Sequence, residues 1–110
     1  MTNPILRYKT VMIDGQEYKF QYTVKAVLMC EKALTQKSIL KTLIDMPLSY
    51  ADTFEFFRWG IYGGGKQMTA DEVENLFLKY LESYNIGDMQ QLIMEALMAS
   101  GVVGNVTGKK

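Results

Sequence analysis

The sequence predicts an α+β fold in which an N-terminal antiparallel β-hairpin packs on a bundle of about five short α-helices. Apolar, aromatic and β-branched residues precede Asp14-Gly15, and aromatic residues alternate with polar ones after it. From Thr23 onward apolar residues recur with the 3.6-residue period of a helix. The 110 residues are 48% apolar and 22% charged, as in an ordinary globular domain. We expect one domain over residues 1–101 and a flexible tail over residues 102–110.

The hairpin is predicted over residues 5–13 and 16–22, because Asp-Gly is a typical two-residue hairpin turn. An isolated hairpin is marginally stable in water, so this one needs the helices behind it or a partner chain beside it, and one face must cover apolar residues. In the second strand that face consists of Tyr18, Phe20 and Tyr22.

The first two helices are predicted over about 24–34 and 39–45, each after a hydroxyl N-cap, and Pro47 prevents extension of the second. The expected core-facing residues of the first are Val24, Val27, Leu28, Glu31 and Leu34. Those of the second are Ile39, Leu40, Leu43 and Ile44.

The third helix is predicted over about 50–62, with Ser49 and Asp52 at its start. Phe56 and Trp59 point away from its expected core stripe, so this helix is either central in the fold or partly an interface. The stripe consists of Tyr50, Ala51, Phe54, Phe57 and Ile61.

A capping box from Thr69 to Glu72 predicts a fourth helix over about 70–84. The residues at 85–87 are expected to end it, and a fifth helix over about 89–100 begins at Asp88 and stops at Gly101. The expected core residues are Val73, Leu76, Phe77, Tyr80, Leu81 and Tyr84 in the fourth helix, and Met89, Leu92, Ile93, Ala96 and Leu97 in the fifth.

Composition excludes much catalytic chemistry. The chain has no histidine and one cysteine, Cys30, so a Cys/His zinc site, a His-activated nucleophile and an internal disulfide are impossible. The run from Gly63 to Lys66 lacks the spacing of a phosphate-binding loop and is expected to be a flexible interhelical loop. We therefore expect no enzymatic activity, metal or cofactor.

Twelve basic and twelve acidic side chains give zero net charge, which argues against nucleic acid or a membrane surface as partner. Residues 1–50 carry seven basic and four acidic side chains, whereas residues 51–110 carry five and eight. This polarity suits self-association, or halves of one chain that pack together. Without a signal peptide or an apolar run of membrane-spanning length, a cytoplasmic location is expected.

Two groups of side chains stand out. Glu31 and Arg58 lie on apolar helix sides and are predicted to form an ion pair; the alternative, Glu31 as a general acid, lacks a second titrating group. The candidate partner-binding residues are Phe56, Trp59, Met94 and Met98. Eight methionines suit either an adaptable binding surface or a bundle that buries these strips.

Several segments, in this order, resemble one known family: the hairpin, the Thr23-initiated helix, Lys37-Ser38-Ile39-Leu40, Phe57-Arg58-Trp59-Gly60-Ile61-Tyr62, Thr69-Ala70-Asp71-Glu72-Val73 and a closing Ala99-Ser100-Gly101. Over about residues 16–101 the chain is similar to the tail assembly chaperones of long-tailed bacteriophages. The resemblance implies a non-enzymatic helper, absent from the finished virion, that coats the tape measure protein for tail tube assembly.

The same resemblance implies oligomers of the chain and, in many members, a longer frameshifted product that recruits tube protein. Two other functions remain open at this point. One is a small DNA-binding regulator, and the other is a virion structural adaptor such as a head–tail connector component.

Overall fold

The computed structural model describes residues 7–34, 38–45 and 47–102, and it confirms the predicted α+β order of a hairpin followed by five helices. The start of the predicted first strand and most of the predicted tail lie outside these residues. The strands are β1 (Lys9–Ile13) and β2 (Gln16–Phe20). The helices are α1 (Val24–Ala33), α2 (Ile39–Ile44), α3 (Tyr50–Gly63), α4 (Ala70–Ser83) and α5 (Ile86–Ala99).

The hairpin has the predicted turn. β1 pairs antiparallel with β2, with Ile13 opposite Gln16 at the closed end. Asp14 and Gly15 both have positive φ, 52° and 82°, as a tight turn that matches the twist of the strands requires. Ile13 and Phe20 are buried, so the hairpin covers the helices as expected.

The predicted N-caps of the first four helices are confirmed, because the hydroxyls of Thr23, Ser38, Ser49 and Thr69 each accept an N–H of the first turn. The predicted start of the last helix is wrong. Asn85 is its N-cap: the Asn85 side chain accepts the Asp88 N–H at 2.8 Å, and the Asp88 carboxylate accepts the Asn85 N–H at 3.1 Å. This reciprocal capping box outweighs the low helix propensity of Gly87.

α3 is the central element of the fold. Its sequence left open whether it is central or partly an interface. It packs against α1, α4, α5 and β2. The Phe57 ring lies 5.4 Å from the Phe20 ring and 5.2 Å from the Phe77 ring, measured between centroids. The buried side of α3 is accordingly wide and includes Thr53, Phe56, Phe57, Gly60 and Ile61.

Gly63 and Gly64 pack closely against the end of β2 and the residue that follows it. Gly63 is the last residue of α3 and Gly64 is its C-cap, so the prediction of a flexible loop is wrong for these two positions. A Cβ atom at Gly63 or Gly64 would collide with the backbone carbonyl oxygen of Gln21 or Lys19, respectively. Here glycine is required because two backbones touch.

The predicted core face of α1 is wrong in part. Leu34 is buried and Val27 packs against the core as expected. Ala26 and Cys30 are fully buried, however, whereas Val24 is 87% and Leu28 is 50% exposed. A Cβ atom at Gly63 would lie only 3.1 Å from the Ala26 methyl carbon, so small side chains fit where α1 meets α3. Other predicted core residues that are exposed are Leu40, Ile44, Tyr50, Ala51 and Tyr84.

We predict that Gly63→Ala lowers the free energy of unfolding by about 1–3 kcal/mol, because the added methyl group must displace the Gln21 backbone. Urea unfolding followed by circular dichroism measures this change. Gly87→Ala is the matched control: near its added Cβ lies only the Asn85 side-chain oxygen, at 3.2 Å. An equal effect of the two substitutions would contradict the close packing of α3 on β2.

Candidate protein-binding surface

Among the described residues, four of the five exposed Val, Leu and Ile side chains lie in two rows, one on α1 and one on α2. Val24 and Leu28 are four residues apart on α1, and Leu40 and Ile44 are four residues apart on α2, so each pair shares a helix face. Ile44 is 81% exposed and Leu40 is 49% exposed. We call these four side chains the α1–α2 face.

A hydrogen bond joins the two helices that carry these rows. The carboxylate of Glu31 on α1 accepts the backbone N–H of Ile39, the first residue of α2, at 2.8 Å. That N–H has no partner within its own helix, so the carboxylate satisfies it and acts with the Ser38 N-cap at the start of α2. Leu28 lies one turn before Glu31 and Leu40 follows Ile39, so each row has one residue close in sequence to this contact.

The predicted ion pair between Glu31 and Arg58 is not formed. Among the described residues the ion pairs are Lys9–Glu95 and Lys79–Glu82, at 3.9 Å each. Glu31 instead accepts the first N–H of α2, and the Arg58 guanidinium lies over the Trp59 ring, 4.7 Å from its centroid. The free-energy cost of placing the Glu31 carboxylate on an apolar helix side is offset here by a backbone hydrogen-bond donor rather than by an opposite charge.

Phe56 is not a surface residue. It is fully buried, its ring lies 6.5 Å from that of Tyr22, and its carbonyl oxygen accepts the Tyr22 hydroxyl at 2.6 Å. The prediction that Phe56 faces a partner is therefore wrong for this fold, because α3 is surrounded by other elements.

The other three predicted residues differ in exposure. Trp59 is half-buried, and its indole N–H donates to the Glu55 carboxylate at 3.2 Å. Met94 is half-buried against the core, and Met98 is 54% exposed. Trp59 lines a cleft of about 330 Å³ with Arg58, Tyr62, Lys66 and Met68. Neither Met94 nor Met98 lines that cleft, so the structure does not assemble the predicted residues into one site.

Cys30, the only cysteine of the sequence, is a free thiol buried in the core. Burial, together with smaller contributions from the nearby carboxylates of Glu55, Glu31 and Asp52, raises the pKa of the Cys30 thiol to about 12. Burial also raises the pKa of Tyr22 well above its ordinary value. A thiol held in this protonated state is a poor nucleophile.

The described residues contain no group of three His, Cys, Asp or Glu side chains arranged to hold a metal ion. Over the same residues, no helix combines the length and apolar character needed to cross a membrane. Comparison with known proteins identifies no relative: no family model, no curated protein and no solved structure matches the chain. The exposed aliphatic rows are thus the strongest functional feature of the described structure.

The Cys30 thiol of the folded protein is expected to resist modification at pH 8 and to react with dithionitrobenzoate at least about 100-fold more slowly than in the unfolded chain. Immediate stoichiometric labelling of the folded protein would contradict the buried position of Cys30.

The raised pKa of Cys30 also has a consequence for stability. The free energy of unfolding should fall as pH rises above about 9, the ordinary pKa of a thiol, toward 12.

We also predict that Glu31→Ala lowers the free energy of unfolding by about 0.5–2 kcal/mol, because the Ile39 N–H loses its acceptor. Glu31→Gln keeps an acceptor oxygen and should recover most of this loss. Arg58→Ala serves as the control and should not reproduce the effect of Glu31→Ala. Chemical denaturation of the three variants measures the differences.

Proposed function

We propose that this protein is a tail assembly chaperone of a long-tailed bacteriophage, a non-enzymatic helper that binds the tape measure protein and assists assembly of the tail tube. Two things support the proposal. The first is the order of segments by which the sequence resembles that family, and the second is the exposed α1–α2 face. The second carries more weight, because it is a property of this chain's own structure.

The exposed side chains suit a long, helical, aggregation-prone client. Aliphatic contacts are non-directional, so they accept many sequences by shape and hydrophobicity. Full burial of a Leu, Val or Ile side chain contributes about 1.5–3 kcal/mol. Four such side chains, of which Val24 is 87% and Ile44 is 81% exposed, leave a substantial part of that free energy available for binding.

The proposal includes self-association in the host cell cytoplasm and absence from the mature virion. Tail tube protein is a further partner if a longer product of the gene exists. Self-association is supported by the opposite net charges of the two halves of the sequence and by further exposed apolar side chains, among them Met12 and Met98.

Co-expression with the tape measure protein tests the function. We expect the wild-type chain to keep the tape measure protein soluble and to co-purify with it. The double variant Leu28→Gln/Ile44→Gln should lose most of this effect, because it removes two exposed aliphatic side chains and leaves the core intact. Glutamine is a good helix former, so the helices are preserved.

Leu78→Gln provides the matched control, because Leu78 is 53% exposed on α4, on another helix. This variant should behave like the wild type. If the wild-type chain neither binds nor solubilises the tape measure protein, the proposed function is wrong. Detection of the protein as a stoichiometric component of purified virions would favour a structural adaptor instead.

A further inference from the structure

We propose that the α1–α2 face is the docking site for an amphipathic helix whose apolar stripe is bordered by Asp and Glu residues. This inference rests on the proposed function in one respect: the helix is taken to be a segment of the client. The observation that carries it is the position of unpaired lysines beside both aliphatic rows.

On α1, two lysines lie beside the aliphatic row. Successive helical residues are rotated by 100°, so Lys25 and Lys32 both lie within about 60° of Leu28 around the helix axis. Both lysine side chains are exposed. Neither belongs to the ion pairs that form among the described residues. The Val24–Leu28 row is therefore bordered along one side by free positive charge.

On α2, Lys41 follows Leu40 and is exposed, and it too forms no ion pair within the described part of the chain. Two acids also belong to these helices: Glu31, which accepts the Ile39 N–H, and Asp45, the C-cap of α2, which follows Ile44. Three lysines against two carboxylates leave an excess of positive charge beside the rows, and on α1 both lysines lie on the side of the row away from Glu31.

This combination specifies the chemistry of the occupant. Aliphatic side chains at i and i+4 on two adjoining helices receive the apolar stripe of a third helix, the common helix-in-groove mode of recognition. Lysines beside the rows attract acidic residues beside that stripe and repel basic ones, which gives orientation and selectivity. An all-apolar segment would leave these charges without partners.

A second copy of the same face is a poor occupant. An isologous dimer places each patch against the same patch of its partner. Here that arrangement would bring three lysines of one chain near three of the other, and like charges in an interface oppose association. The surface is therefore suited to a complementary partner and unsuited to pairing with itself.

Two synthetic peptides test the proposal without the tape measure protein. Each is an amphipathic helix of about 18 residues, five turns, with the same leucine stripe, bordered by glutamate in one peptide and by lysine in the other. Fluorescence anisotropy of labelled peptides at low salt should show at least about tenfold tighter binding of the glutamate peptide. The difference should shrink between 10 and 150 mM salt, because the screening length falls from about 30 to about 8 Å.

Three variants locate the binding. Lys25→Glu/Lys32→Glu should invert the preference between the peptides, whereas Lys79→Glu, on α4, should leave it unchanged. Leu28→Gln should weaken both peptides. Circular dichroism checks that each variant is folded. Equal affinity for both peptides, or a preference that survives Lys25→Glu/Lys32→Glu, would overturn the proposal.

The outcomes separate this inference from the proposed function. If the glutamate peptide binds as expected and the tape measure protein does not, the surface is correctly described and the chaperone function is wrong. If the tape measure protein binds but the peptides show no charge preference, the chaperone function stands and the acidic-helix inference fails.

Discussion

The direct contact of the α3 backbone with the chain that leaves β2 constrains the rest of this fold. The Gln21 N–H donates to the Gly60 carbonyl at 3.1 Å, and Gly63 and Gly64 leave no space for a Cβ atom. Because a strand end and a helix meet without side chains between them, α3 is held at the centre of the molecule. The Tyr22 hydroxyl then reaches the carbonyl of Phe56 at 2.6 Å, which ties the hairpin to the core by a fully buried hydrogen bond.

The close approach of neighbouring elements at Gly63 also explains why α1 presents an unexpected face to solvent. α1 also packs against α3, and next to Gly63 there is space only for a small side chain, which Ala26 provides. Cys30, one turn further along α1, is also fully buried. With this side of α1 turned inward, the larger Val24 and Leu28 lie on the opposite side of the helix. The exposed aliphatic row of α1 is thus a geometric consequence of close backbone packing, and the Glu31 hydrogen bond joins α1 to α2, which carries the second row.

Much of the fold could be predicted because its signals are local. The Asp-Gly turn and the hydroxyl N-caps each act within four residues, and both were assigned correctly. The buried faces of α1 and α2 could be predicted only in part. Leu34, Ile39 and Leu43 are buried as expected, but burial of the other positions depends on how closely another element approaches, which the 3.6-residue period does not encode. Sequence reasoning placed the largest apolar residues inside, and a stripe of small residues at Ala26 and Cys30 was the signal it missed. The predicted partner-binding site is wrong at Phe56 for the same reason: Phe56 is buried because α3 has neighbours on several sides.

An exposed aliphatic surface carries a risk of aggregation, and its bordering lysines reduce that risk. Charged residues beside apolar rows keep identical copies apart, while a partner of opposite charge meets attraction instead of repulsion. A surface of this composition can therefore remain open until a suitable helix arrives, and it requires no rearrangement of the core to bind one. The stability of the domain depends on Gly63 and on the aromatic rings around α3, whereas the α1–α2 face contributes little to it. Stability and binding thus use different residues, so the side chains on the face can vary without loss of the fold.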